Sequence, residues 1–82
     1  MNREEMLSKV VAVLSRIAPE ADPAQLRPDI SLRSQLDIDS MDQLNFMIGL
    51  HKEFQVEIPE RDYPKLTTLN GCVEYLLHTA HA

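Results

Sequence analysis

Proline placement constrains this chain more than any other feature. Pro19, Pro23 and Pro28 crowd one stretch, and Pro59 and Pro64 punctuate another. A proline inside a helix removes a backbone bond and clashes with the preceding turn, at a cost of about 3 kcal/mol. Long helices are therefore confined to the segments before Pro19, between Pro28 and Pro59, and after Pro64. In each of these, apolar residues recur every three or four positions, the period of a one-sided helix.

The first helix is expected from about Arg3 to Ala18. Asn2 is placed to cap it, Glu4 and Glu5 suit the positive end of its dipole, and Pro19 stops it. Its apolar face reads as Leu7, Val10, Val11, Leu14, Ile17 and Ala18. A connection of some twenty residues follows, Pro19 to Asp39, long for a small domain. Leu26, Ile30, Leu32 and Leu36 are spread along it and should pin it to the core. The second helix is expected from Ser40 to about Phe54, with Asp39 as cap and Asp42 completing a variant of the capping box. Gln55 to Pro59 reads as extended. Glu60 to Leu66 has room for a short helix limited by Pro64. Thr68 caps a last helix, Leu69 to Thr79, with Val73, Leu76, Leu77 and Ala80 facing inward. The fold class is all-α: a small four-helix bundle of three longer helices and a short third one, with a long loop between the first two, as one domain over residues 1–82.

Eighty-two residues leave little room for a catalytic core with a substrate cleft. A formal net charge of −5 argues against a general nucleic-acid binder, which needs clustered Lys and Arg. The single cysteine, Cys72, excludes an internal disulfide and fits a reducing compartment. Met1 to Glu5 lacks the apolar run of a signal peptide, and no stretch reaches membrane-spanning length, so a cytoplasmic protein is expected.

Leu36-Asp37-Ile38-Asp39-Ser40-Met41-Asp42 carries the chemistry. It sets a serine hydroxyl in the first turn of a helix, behind an aspartate suited to cap it. A helix start offers unpaired N–H groups and the positive end of a dipole, both favourable to a phosphate. No base or oxyanion site accompanies Ser40, so a hydrolase is not indicated, and the serine reads as a point of attachment. Asp-Ser alone is a common dipeptide at a helix start and decides nothing.

The wider pattern resembles the acyl carrier protein family. Asp39-Ser40-Met41 is followed by Leu44, Phe46, Met47, Ile48, Leu50 and Phe54 at apolar family positions. Glu53 to Glu60, with Ile58-Pro59-Glu60, resembles the lead into the family's short third helix, and Lys65 to Leu69 with Val73 to Leu76 its last helix. The resemblance implies that a phosphopantetheinyl transferase places 4′-phosphopantetheine from coenzyme A on Ser40. The terminal thiol then holds acyl intermediates as thioesters for acyl-loading, acyl-transfer or condensing enzymes of fatty acid, polyketide or related synthesis. It implies a monomer that is no enzyme. Aminoacyl and D-alanyl carriers share the fold, and an unmodified helical adaptor remains the alternative outside the family.

The second helix presents two apolar stripes. Phe46, Met47, Leu50 and Phe54 are assigned to the core. Met41, Leu44 and Ile48 are assigned to an exposed contact patch beside Ser40, and in the family partners dock there. With Asp42, Asn45 and Lys52 they form the candidate docking set. The pattern departs from the family at Asn45, His51 and Lys52, where acidic residues are common, and at Asp37, where glycine is frequent. Met41 in place of leucine also occurs in D-alanyl carriers. These departures point to a specialised carrier. His51, His78 and His81 have no companions at metal-ligand spacing, and Asp37, Asp39 and Asp42 lack the frame of a calcium loop, so no metal is expected. Gly49 and Gly71 read as close-packing positions, Gly49 alternatively as room for a partner.

Overall fold

Asn2 opens the first helix as expected: its Oδ1 accepts the Glu5 N–H at 2.8 Å. In the computed structural model, which describes residues 2–79, this helix, α1, runs Arg3–Ile17. Ala18 closes it by donating its N–H to the Leu14 carbonyl at 2.9 Å. The buried stripe is Met6, Val10, Val13, Leu14 and Ala18, with Leu7, Val11 and Ile17 only half-buried at its margins. The stripe is thus rotated from the expected one, and Met6 and Val13 join it. The reason is that α1 packs against both other long helices and buries a wider arc than a single stripe.

The connection from Pro19 to Asp39 is built rather than loose. A 3₁₀ turn, Pro23–Gln25, is capped by Asp22, whose Oδ1 accepts the Ala24 N–H at 3.0 Å. A four-residue helix, α2, spans Leu32–Gln35; neither element is evident in the sequence. Leu32 is fully buried, and Leu26 and Leu36 pack partly against the core. Ile30, expected as an anchor, is instead exposed. Gln35 explains this. Its Oε1 accepts the Arg27 N–H at 2.8 Å, and its Nε2 donates to the carbonyls of Arg27 and Ile30 at 2.8 and 3.0 Å. The side chain holds residues 27–30 in a turn, with Ile30 outside. Two backbone bonds tie the loop to the distal half of the chain: Leu32 N–H to the Thr67 carbonyl at 2.8 Å, and Asn70 N–H to the Pro28 carbonyl at 2.9 Å.

The second long helix, α3, runs Ser40–Phe54 and buries Phe46, Met47 and Leu50. Phe54 lies at the core's edge. Gly49 meets α1 closely: a Cβ there would stand 2.7 Å from Cγ1 of Val13. Close packing, not space for a partner, accounts for this glycine. Gln55 is not extended as expected but left-handed, at φ 54° and ψ 42°, and terminates α3. Such a residue without glycine costs on the order of 1 kcal/mol. One compensating contact is His51, whose Nδ1 lies 2.8 Å from the Val56 carbonyl. A carbonyl only accepts, so this nitrogen carries the proton.

Residues Glu60–Leu66 form a seven-residue 3₁₀ segment that includes Pro64 and buries Leu66. The last helix, α4, spans Leu69–Thr79. Thr68 caps it as expected, its Oγ1 accepting the Gly71 N–H at 2.9 Å. Leu69, Cys72, Val73 and Leu76 are buried and Leu77 partly so; Ala80 and His81 lie outside the described residues. Among the described residues there is no strand, and α1 packs on α3 and α4 while α4 packs on the 3₁₀ segment. The architecture is a small helical bundle.

Candidate functional site

Ser40 is the first residue of α3 and is exposed. Its setting follows from local sequence. Asp39 takes an extended conformation, and its Oδ1 accepts the Asp42 N–H at 2.9 Å. Asp42 answers by accepting the Asp39 N–H at 3.5 Å, the reciprocal box expected from their spacing. The Asp39 carbonyl takes the Gln43 N–H at 3.0 Å, the first full helical bond. Ile38, just ahead, is buried, so the chain enters the helix from a fixed anchor. The hydroxyl therefore stands on a rigid element without being enclosed.

The Met41 N–H has no protein partner among the described residues, and fifteen aligned peptide units lie behind it. A phosphodiester on Ser40 would meet that N–H and the positive end of the helix dipole, which offset the nearby carboxylates of Asp37, Asp39 and Asp42. Asp37 keeps a negative φ, since Gln55 is the one described non-glycine residue with a positive φ. The absence of glycine at position 37 therefore introduces no left-handed strain.

The residues on the outer side of α3 are also where the sequence places them. Met41, Leu44 and Ile48 are 65%, 41% and 42% exposed. Asn45, His51 and Lys52 are exposed beside them, whereas Asp42 is half-buried by its capping role. A model of the phosphopantetheine attachment site matches residues 8–76, a span that contains this whole arrangement.

This chain belongs to the acyl carrier protein family.

Two bacterial relatives cover it almost end to end. An acyl carrier protein of Thermosynechococcus vestitus is 33% identical over 76 residues, 93% of each chain. One of Rubrobacter xylanophilus is 32% identical over 78 residues, 94% of each. A mitochondrial acyl carrier protein of Neurospora crassa is 27% identical over 77 residues, 94% of this chain and 58% of that one. The group such a carrier holds is 4′-phosphopantetheine, and the exposed, capped serine with free N–H capacity beside it fits that group.

Other polar residues of the carrier have structural explanations. No group of three or more His, Cys, Asp or Glu among the described residues is arranged to hold a metal ion. His78 Nδ1 contacts the Glu74 carbonyl one helical turn back at 2.8 Å. Cys72 is buried with its Sγ 3.4 Å from the Leu66 carbonyl, and burial pushes its thiol up to about 12. That is a core residue, not a nucleophile. Tyr75 donates its hydroxyl to Asp62 at 2.8 Å, which holds the Asp62 carboxyl below its ordinary value, while burial and then this bond raise Tyr75. No described helix is long and apolar enough to cross a membrane.

Sequence reading missed the seam between α3 and the 3₁₀ segment. Tyr63 stands between two grooves there, one of about 220 Å³ with Met47, Ile48, His51, Glu57 and Ile58. The other, about 190 Å³, is lined by Ser31, Arg33, Gln43, Pro64 and Thr67 together with Tyr63. No spacing signal marks Tyr63, because a seven-residue 3₁₀ segment has too few turns to display a period.

Proposed function

We propose that Ser40 is the residue that bears 4′-phosphopantetheine and that the chain acts as one carrier domain, itself no enzyme. One observation carries this reading: Ser40 is exposed at the first position of a fifteen-residue helix whose start is fixed by a reciprocal Asp39–Asp42 cap. When bound, the group supplies a thiol on a flexible arm, on which acyl cargo travels as a thioester. The chain's own residues present and orient that arm. Asp39 holds the helix start, Ile38 anchors the approach, and the dipole of α3 with the Met41 N–H receives the phosphodiester. Met41, Asp42, Leu44, Asn45, Ile48 and Lys52 form the surface on which the phosphopantetheinyl transferase and the acyl-loading, acyl-transfer or condensing enzymes dock. Exposed apolar side chains in one row support that assignment. The cargo is an acyl group of fatty acid, polyketide or related synthesis, and the carrier works as a monomer in the cytoplasm.

The test is intact mass after incubation with coenzyme A and a promiscuous phosphopantetheinyl transferase, on the native chain and on Ser40→Ala. The expected result is one added phosphopantetheine on the native chain and none on the variant. Modification of both would move the attachment elsewhere. Modification of neither, in folded protein, would favour an unmodified adaptor.

A further inference from the structure

The charge of the α3 outer face differs from that of the protein around it. At 100° per residue, Met41, Leu44, Asn45, Ile48, His51 and Lys52 fall within an arc of about 120°. All six are exposed, and none is acidic. The acids of the same helix are turned to its flank and engaged: Asp42 closes the cap, and Glu53 pairs with Arg16 at 3.4 Å. Lys52 has no ion-pair partner among the described residues, as is also true of Lys9, Arg27, Arg33 and Arg61, whereas Arg3, Arg16 and Lys65 are paired. A chain of net charge −5 thus exposes an apolar row that ends in an uncompensated base. Exposed acids stand at the other end, Asp37 and Asp39 ahead of Ser40, about 18 Å along the axis from Lys52. Glu57, also exposed, borders the row on the groove side together with Ile48 and His51.

This polarity specifies a complement. Resting on the assignment of Ser40, we propose that the phosphopantetheinyl transferase serving this chain docks along the arc through an apolar trough for Met41, Leu44 and Ile48. A carboxylate of the transferase lies opposite Lys52, and its bases are confined to the end that meets Asp37 and Asp39. A transferase with a continuous basic strip would place a like charge against Lys52 and lose the apolar contacts between. Charges at the rim of an interface act chiefly on encounter rate and partner choice, and their effect fades as salt rises.

The test uses the full-length chain, coenzyme A and the transferase encoded by the same genome, with steady-state priming followed by intact mass. Lys52→Glu is expected to lower kcat/KM about five- to tenfold, mainly through KM, and Lys52→Gln about two- to threefold, the range for rim charges. Lys52→Arg should match the native chain. Asn45→Glu, which adds an acid to the same arc, should act in the direction of Lys52→Glu, and the differences should narrow at high ionic strength. Circular dichroism checks that each variant is folded; should one not be, the other decides. Unchanged or faster priming of Lys52→Glu and Asn45→Glu would overturn the proposal. Failure of the native chain to be primed, or priming of Ser40→Ala, would instead remove the attachment assignment on which it rests.

Discussion

Replacing Gln35 by alanine removes all three bonds through which one side chain holds residues 27–30. Each such bond contributes on the order of 1 kcal/mol net, and more where a partner is left without water. Gln35 is half-buried, so solvent recovers some of what is lost. A destabilisation of about 2 kcal/mol follows, from a total of roughly 4–12 kcal/mol for a chain of this length. Urea unfolding should show a lower midpoint at unchanged slope, and the melting temperature should fall by about 8–16 °C. Hydrogen exchange supplies the local test: the amides of Leu32 and Asn70, which bond to Thr67 and Pro28 across the loop, should lose more protection than those within α1. Gln35→Glu sharpens the reasoning. A carboxylate still accepts from the Arg27 N–H but faces two carbonyls to which it cannot donate. Glutamate should therefore be at least as damaging as alanine at pH 7, and improve when protonated below about pH 4. A cost under about 0.5 kcal/mol for Gln35→Ala, with unchanged loop amides, would show that Leu32 and the backbone bonds hold the loop unaided.

Asp39→Ala should cost about 1 kcal/mol in urea unfolding and Asp39→Ser much less, because serine restores the N-terminal acceptor. Gly49→Ala should destabilise by about 1 kcal/mol despite the better helix propensity of alanine, as the new methyl meets the stiff, buried Val13. Adding Val13→Ala should make that substitution neutral or favourable, a coupling that a double-mutant cycle reads directly. Cys72 should resist thiol reagents in the folded chain at pH 8 and react in urea. Its pKa is raised from 9.0 to about 12 in the fold, so the thiol favours the folded state fully below pH 9 and this contribution is lost as pH rises toward 12. The native chain should therefore lose stability relative to Cys72→Ala over that window, by up to about 1.4 kcal/mol per pH unit. Asp62 shows the opposite sign: its carboxyl is lowered chiefly by the Tyr75 hydroxyl, so its contribution is present above its ordinary value of 3.8 and fades as pH falls. Tyr75→Phe should flatten that acid limb in a pH series of unfolding midpoints.

The parts of the molecule that sequence made legible are those set by neighbours in the chain. Asn2, Asp39 and Thr68 each lie three residues before the N–H they cap. The long helices announce themselves by period and by the prolines that bound them. The candidate site belongs to this group, because Ser40, its cap and the row Met41, Leu44 and Ile48 all sit within one helix. What escaped depends on partners distant in the chain or on competing local choices. Gln35 acts on a loop eight residues back through a side-chain amide, and no spacing rule flags it. Met6 and Val13 fall outside a single-stripe reading because α1 lies between two helices, whereas such a reading assumes one. Gln55 adopts the left-handed cap that glycine or asparagine would have advertised, and Tyr63 lines its grooves from a segment too short to show a pattern.

The two backbone bonds from the first loop to Thr67 and Asn70 also bear on the order in which the molecule is finished. During synthesis, the chain emerges with Ser40 long before residues 67–70. Until those residues arrive, the loop that leads into α3 lacks its clasp. The loop is then closed only on a chain in which residues 67–70 have been made and docked. A nascent chain that stops short of them would keep the Asp39–Asp42 cap but lack the clasp on the loop that leads into it.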